Sequence, residues 1–251
     1  MHLFTGSEAL RNAGGHSSRP RADNAIYQLA DVIKRLQAYR FPVMSNDWTI
    51  GNFKAESAVT PPPLGPAMAR FAANPNDTEA AEILSQDPEN VGKLRTTCVA
   101  TMLKGGHADN ALPQSASVIF NCRLFPGMHA REVEQKLAEI AGPGVEIRNP
   151  FKDVVESDAS PLRPDVLAAV TKAVHTIRPG VPLVPEMAVY TTDGSYFRGA
   201  GIPTYGVSGL FMKQSDDFAH GLNERVSVSA FYDELAYWHT LLTEVGRSVK
   251  R

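Results

Sequence analysis

The sequence predicts a two-layer α+β sandwich, with helices on an antiparallel sheet, followed by the C-terminal part of an α/β domain. In the first half, the hydrophobic pattern gives the order helix, strand, strand, helix, strand, which suits a small sandwich. The pattern restarts after Asn149-Pro150 with a helix opened by Pro164, and a long helix closes the chain. This second half resembles the tail of a sheet domain rather than a complete one.

The first helix is predicted from Asp23 to about Tyr39. Either Asp23 or Asn24 is available as its N-cap. Its apolar residues recur at spacings of three and four, which predicts one buried face: Ile26, Leu29, Ala30, Ile33 and Leu36. Residues 43–95 then lose clear periodicity and contain six prolines, so we expect a loop-rich insertion with one or two short helices.

β-Branched and apolar residues predict two strands, Thr96–Leu103 and Ser115–Leu124. A helix through Val133 and Leu137 follows, and then a short strand at Val145–Arg148. In the second half we expect short strands around Thr191–Gly194 and another at 202–207. The final helix should start near Ser229 and bury the following side chains: Phe231, Leu235, Trp238 and Leu242.

Composition narrows the classes of partner. With 25 Lys and Arg against 27 Asp and Glu, the formal net charge is −2, so no global field attracts nucleic acid or acidic membranes. No run approaches the ~20 apolar residues that span a bilayer. Cys98 and Cys122 fall in apolar strands and are expected to be inert buried thiols, and so few cysteines favour a cytoplasmic location.

Three of the seven histidines lie in turn-rich segments: His16 in GGHSSRP, His107 in GGHADN and His220 in AHGLNER. Glycine beside a histidine lets the backbone approach a ligand closely. Taken singly, each is more often an ordinary loop histidine. No nucleotide-binding glycine loop, no nucleophile elbow and no HExxH motif occurs, so the residues alone indicate only a globular protein with three candidate histidine loops.

Read together, four segments resemble the di-zinc exopeptidase and aminoacylase group, peptidase family M20, and most closely its carboxypeptidase-S-like branch. They occur in the family's order: GGHSSRPRADNAIYQLADVIKRL at 14–36, GGHADNALPQSASVIFNCRLFPG at 105–127, TTDGSYFRGAGIPTYGV at 191–207 and AHGLNER at 219–225. In such enzymes, a lid domain that also forms the dimer interrupts a catalytic α/β domain with two zinc ions. The resemblance implies a homodimer, a lid at 10–150 with an insertion at about 43–95, and the closing part of the catalytic domain at 151–251.

The resemblance also implies roles for single residues. His16 matches the catalytic lid histidine that reaches across the dimer and steadies the tetrahedral oxyanion. Asn110 and Arg123 match lid positions that contact substrate, with Arg123 suited to a free carboxylate. A loop lining the substrate pocket is matched by Thr192, Asp193 and Gly194, and the last zinc ligand is matched by His220. His107 and Asp109 have no counterpart and are interpreted as turn residues.

The sequence departs from the family upstream of the lid. The other zinc ligands and the glutamate base precede the lid in the family, whereas this sequence begins at the lid. His220 alone cannot hold a catalytic zinc, which needs three or more protein ligands. We therefore expect part of a zinc hydrolase, truncated or split and inactive alone, that cleaves a peptide or N-acyl amino acid amide bond next to a free carboxylate.

Two alternatives remain open at this point. In the first, the chain is a non-catalytic dimerisation module or a complementing subunit instead of an active hydrolase. In the second, it is a degenerate product whose incomplete catalytic half exposes apolar surface and aggregates.

Overall fold

The computed structural model describes residues 2–149, 156–216 and 218–248. The chain forms two compact units, one of residues 1–158 with 185–200 and the other of residues 159–184 with 201–251. The expected domain boundary between residues 150 and 151 lies outside the described residues. Among the described helices, none combines the length and apolar character that crossing a membrane requires.

The first unit is built on four antiparallel strands: β1 (His2–Arg11), β3 (Thr97–Gly105), β5 (Ser115–Leu124) and β6 (Val145–Arg148). Their order in the sheet is β3, β5, β1, β6. A short ribbon pairs β2 (Gly15–His16) with β4 (Ala111–Leu112). Helices α1 (Ala25–Ala38) and α6 (Ala130–Ala141) share one hydrophobic core with the sheet, so the predicted α+β sandwich is confirmed.

Strand β5 organises this core. Its residues alternate between buried and part-exposed along the strand, because successive side chains point to opposite faces of a sheet. Val118, Phe120 and Leu124 are buried in the core with α1 and α6. Arg123 has the opposite parity and therefore lies on the face away from these helices.

Helix α1 begins directly after Asn24, which is one of its two expected N-caps. Asn24 is the N-cap, and its side-chain oxygen accepts from the backbone N–H of Ile26 and Tyr27. The expected buried face was partly wrong, because Ile26 and Ala30 are exposed. The stripe that faces the sheet has the same spacing but is rotated around the helix: Ala25, Leu29, Val32 and Leu36.

The insertion is more ordered than expected. It holds four helices: α2 (Asp47–Glu56), α3 (Leu64–Ala73), α4 (Thr78–Ser85) and α5 (Pro88–Val91). Side chains of Asn46, Asp77 and Asp87 cap three of them, so each of these three has a polar start signal. Phe53 and Phe71 meet edge to face at 5.7 Å within a separate core, and this core supplies the stability that such short helices lack alone.

Cys98 and Cys122 are not free thiols. They face each other on neighbouring strands β3 and β5 with 4.0 Å between their Cα atoms, and their sulfurs form a disulfide. The expectation of two inert thiols was wrong, because the strand register that brings the cysteines together is not visible in the sequence spacing. The bond also removes the support for a cytoplasmic location, since disulfides persist mainly in oxidising compartments.

We expect reduction of this disulfide to lower the free energy of unfolding by about 3 kcal/mol, because the bond closes a loop of 24 residues in the unfolded chain. Urea unfolding with and without dithiothreitol measures the change. A Cys98→Ala, Cys122→Ala double variant is the control and should be insensitive to the reductant. Two titratable thiols in the denatured, unreduced protein would contradict the pairing.

The second unit packs α7 (Pro164–Ile177) against α9 (Val228–Ser248), while α8 (Gly194–Gly199) belongs to the first unit. The buried residues of the pair are Ala173, Val174, Tyr237 and Leu241. The prediction for α9 was largely wrong, because Phe231, Leu235 and Leu242 are exposed and only Trp238 is partly buried against this core. The expected strands at residues 202–207 and around Thr191 are irregular backbone.

The exposed face of α9 and the irregular backbone at residues 202–207 have the same reason. A strand needs a neighbour to satisfy its backbone N–H and C=O groups, and an apolar helix face needs a surface to cover it. The described part of the second unit contains no sheet, so it offers neither of these. The segment around Thr191 belongs to the first unit, where it pairs with none of the described strands.

Tyr237 gives a test of the core of the second unit. Its ring is fully buried, burial raises the pKa of its phenol to about 12, and its hydroxyl has no hydrogen-bond partner among the described residues. Removing an unsatisfied buried hydroxyl should be neutral or stabilise the fold by up to about 1 kcal/mol. The urea concentration at the midpoint of unfolding should therefore be equal or higher in Tyr237→Phe than in the unaltered chain.

The matched control is Tyr205→Phe in the same unit. The Tyr205 hydroxyl donates to the carbonyl of Pro161 at 2.6 Å, so this variant should lose about 1 kcal/mol. A clear loss of stability in Tyr237→Phe would mean that its hydroxyl is bonded.

Candidate active site

His16 is presented by the β2–β4 ribbon. It pairs with Ala111, and the N–H of the next residue, Ser17, donates to the carbonyl of Asn110 at 3.0 Å. Gly14 makes the turn into this ribbon with φ of +73°. A Cβ there would lie 2.8 Å from Cγ of Gln114, so the turn requires glycine for both conformation and space.

The imidazole of His16 is exposed and held at one nitrogen. Its Nδ1 accepts from the backbone N–H of Ser18 at 3.2 Å and lies 2.8 Å from Oγ of the same serine. Because a backbone N–H can only donate, Nδ1 is the acceptor and the neutral ring carries its proton on Nε2. His16 therefore presents an N–H donor at its outer nitrogen, as the stabilisation of an oxyanion requires.

Arg123 lies near the other end of β5, on the face away from the helices. Its Nη1 donates to the hydroxyl of Thr191 at 3.2 Å. Partial burial lowers the pKa of its guanidinium from the ordinary value, and no carboxylate of a described residue forms an ion pair with it. The side chain is thus half-desolvated with spare donors, which favours a bidentate anionic ligand.

The loop after Thr191 has a defined shape. The N–H of Gly194 donates to the Thr192 hydroxyl at 3.3 Å, and the N–H of Ser195 donates to the Thr192 carbonyl at 3.1 Å. Asp193 is exposed at the start of α8, while Gly194 is buried beneath it. The contact between Arg123 and Thr191 therefore brings the predicted carboxylate-binding residue to the predicted substrate loop.

His16 and Arg123 lie at opposite ends of the lid sheet. The ribbon of His16 adjoins the start of β5, where the N–H of Asn12 donates to the carbonyl of Gln114 at 2.8 Å. Arg123 lies eight positions beyond Ser115 on the same strand, about 26 Å at the rise of an extended chain. Within one subunit, the two side chains are too far apart to contact both ends of one small substrate.

His220 lies in the second unit, in an exposed loop with φ of +63° at both His220 and Asn223. Its backbone N–H donates to the Glu224 carboxylate at 3.3 Å, and Arg225 in the same loop pairs with Asp216 at 2.8 Å. Among the described residues, no three His, Cys, Asp or Glu side chains converge as metal ligands. The residues that the structure describes therefore do not fit a catalytic zinc site by themselves.

Sequence reasoning missed the anchor of the segment that leads into Thr191. The ammonium of Lys93, which is almost fully buried, pairs with Glu186 at 2.7 Å and donates to Oδ1 of Asn52 at 3.2 Å. Met187, one residue further on, is buried, and Nδ2 of Asn46 donates to its sulfur at 3.6 Å. The helical insertion therefore holds residues 185–190 against the lid. A buried lysine has no signature in a sequence without helical periodicity.

Comparison with known proteins identifies the family. The family model of the M20 peptidase dimerisation domain matches residues 10–146, which is more than half of the chain. The chain belongs to the M20 peptidase family.

The M20 chain is similar to two curated relatives over most of its length. It is 29% identical to the N-fatty-acyl-amino acid synthase/hydrolase PM20D1 of Xenopus tropicalis over 86% of the chain and 42% of that protein. It is 25% identical to human aminoacylase-1 over 86% of the chain and 44% of that protein. The chain thus spans less than half the length of these relatives.

Solved structures show the same fold. A metallo-carboxypeptidase of the M20 family from Sulfolobus solfataricus superposes with a TM-score of 0.61 at 16% identity, covering 96% of this chain and 57% of that chain. Human carnosine dipeptidase 1 superposes with a TM-score of 0.65 at 13% identity, covering 98% of this chain and 56% of that chain. At these identities, the likeness supports the fold alone.

The ribbon of His16 gives a direct test. Gly14→Ala should lower the free energy of unfolding by about 1–3 kcal/mol, because alanine at positive φ is strained and its Cβ would meet Gln114. Hydrogen exchange at the Ser17 amide, which bonds across the ribbon, should also become faster.

The control for this variant is Gly51→Ala. Gly51 lies within α2, and a Cβ added there would have no other atom within 4 Å, so alanine should stabilise the fold by about 0.5–1 kcal/mol. An unchanged Ser17 amide in Gly14→Ala would show that Gly14 does not hold the ribbon.

Proposed function

We propose that this M20 chain is the lid and closing portion of a zinc-dependent hydrolase that cleaves an amide bond next to a free carboxylate, in a peptide or an N-acyl amino acid. Residues 10–150 serve as the lid and residues 151–251 as the closing part of the catalytic domain. The observation that carries the proposal is Arg123, a half-buried guanidinium with a hydroxyl partner at Thr191 and no ion-paired carboxylate among the described residues.

Arg123 is suited to the carboxylate of the substrate. A guanidinium offers five N–H donors in a planar fork, and one described hydrogen bond, to Thr191, leaves a pair of donors for bidentate binding. Thr192, Asp193 and Gly194 follow at once and form the adjoining wall of the proposed pocket. Names of relatives support this substrate class, since PM20D1 and aminoacylase-1 are named for acylated amino acids.

His16 and Asn110 are proposed to act from the neighbouring subunit. The distance along β5 separates His16 from Arg123 of the same chain, whereas a second copy can bring its own ribbon to the first copy's Arg123. There, Nε2 of His16 would donate to the oxyanion that forms as the amide carbonyl is attacked. Loss of one such donor typically lowers the rate by ~10²–10³.

The proposed dimer uses one of the two edges of the lid sheet. Strand β3 is at the edge, and its side chains are exposed from Val99 onward, including Met102 and Leu103. An edge strand with unpaired backbone groups and apolar side chains is a template for pairing with another strand. Ile26 of α1 lies beside Gly105 at the end of β3 and is also exposed, so the apolar surface continues onto the helix.

The metal ligands remain the part of the proposal that these residues do not supply. His220 is proposed as one ligand, and the others must come from residues beyond the described set, in the same protein or in a complementing subunit.

Binding to the chain itself tests the carboxylate proposal without any metal. By calorimetry, N-acetyl-L-leucine should bind, and its C-terminal amide should bind much more weakly. Arg123→Gln should weaken binding of the acid roughly ten-fold or more, because a hydrogen bond to a charged group is lost.

Arg148→Gln is the control, since Arg148 pairs with Glu146 on the edge strand β6. Equal binding of the acid and the amide, or unchanged binding in Arg123→Gln, would refute the role of Arg123.

Light scattering after size exclusion tests the dimer. We expect the unaltered chain to be dimeric and Leu103→Lys to shift it to monomer, because a lysine on an edge strand opposes edge-to-edge pairing. Val59→Lys, at an equally apolar and exposed position in the insertion, should leave the dimer intact. A monodisperse monomer at high protein concentration would contradict the interface.

A further inference from the structure

A second group of guanidinium donors lies on the helix-bearing side of the lid. A crevice of about 220 Å³ opens between the end of α1, the helices α4 and α5, and the start of β3. Leu36, Phe41, Val91 and Leu137 form apolar walls, and the side chains of Arg40 and Arg95 line the same space. The crevice thus combines an apolar wall with two cations.

Arg95 is almost fully buried, and its hydrogen bonds are incomplete. Nη1 donates to the carbonyl of Phe41 at 3.2 Å, and Nη2 donates to Oγ of Ser85 at 2.8 Å. Its Nε is buried and has no partner among the described residues. Of the five N–H donors of a guanidinium, two are used in the described structure.

The charge of Arg95 is compensated only in part. No described carboxylate forms an ion pair with it, and the nearby Glu82 is engaged with Arg40 at 2.9 Å. Burial and then the like charge of Arg40 lower the pKa of Arg95 from its ordinary value, and the charge of Glu82 opposes this shift without cancelling it. A buried charge without a partner is strongly unfavourable, so an anion entering the crevice would offset a cost that the fold otherwise bears.

We propose that this crevice binds a small monocarboxylate with a short apolar group. The carboxylate would accept from Arg95 and Arg40, and the apolar group would contact Leu36, Phe41 and Leu137. The volume equals that of about seven liquid waters, which suits a ligand of the size of hexanoate or benzoate. The apolar walls favour such a ligand over a fully hydrated anion such as inorganic phosphate.

The proposal is independent of the role of Arg123. Arg123 lies on the face of the sheet away from α1 and α6, whereas Leu36 and Leu137 of those helices line the crevice. Binding there can therefore be measured whether or not the chain takes part in amide hydrolysis.

The test uses the full chain with hexanoate as the probe. Calorimetry and ligand-observed NMR measure the binding. We expect saturable binding at one site per chain, with hexanamide and inorganic phosphate each binding roughly ten-fold more weakly or not at all. Arg95→Gln should weaken hexanoate binding roughly ten-fold or more.

Two further variants keep the test decisive if Arg95→Gln does not fold. Arg40→Gln changes an exposed side chain and should weaken hexanoate binding several-fold, roughly in line with the loss of one charged hydrogen bond. Val91→Phe should block hexanoate binding, because the larger side chain fills the crevice. Arg70→Gln is the matched control, because Arg70 is an exposed arginine of the insertion paired with Asp77 and Glu79.

Three outcomes would overturn the proposal. They are no saturable hexanoate binding by the unaltered chain, binding that survives both Arg40→Gln and Val91→Phe unchanged, and phosphate binding as tight as hexanoate binding.

Discussion

The alternation of side chains along β5 is the constraint on which the first unit depends. One parity of this strand carries Val118, Phe120, Cys122 and Leu124 into the core under α1 and α6, and the other parity leaves Arg123 on the open face. A shift of one residue in register would exchange the two sets and place a guanidinium in the core. The pairing of β5 with both β1 and β3, and the disulfide to Cys98, fix that register.

The same strand explains why the candidate active site is divided. Its two ends hold different groups, the ribbon of His16 and Asn110 at one end and Arg123 with the Thr191 loop at the other. A rigid extended strand keeps them apart, so a site that uses both groups requires two lids. Dimerisation is then a condition of the proposed chemistry, and the exposed edge strand β3 is the interface that we propose for it.

Local pattern predicted the sandwich but not what depends on long-range contact. The first helix, with Asp23 or Asn24 as its cap, strand β5 and the strand at Val145–Arg148 follow from periodicity and turn residues, and the structure has all three with nearly the expected bounds. The sequence predicted only one or two of the four helices in the insertion. These helices are short, and their stability comes from a shared core around Phe53 and Phe71. The disulfide and the buried cations Lys93 and Arg95 depend on which segments meet, and no residue spacing encodes that. The site residues came from the family resemblance, while the tautomer of His16 and the contact of Arg123 with Thr191 required coordinates.

We propose that the lid residues bind the substrate carboxylate and form the dimer, and that the described residues do not hold a metal centre by themselves. Elemental mass spectrometry of the purified chain, after loading with zinc and dialysis against metal-free buffer, tests this claim most directly. We predict close to no zinc per chain, because His220 has no converging partners among the described residues. About two zinc ions per chain, retained through dialysis, would contradict the account and would mean that the chain builds a complete di-metal site.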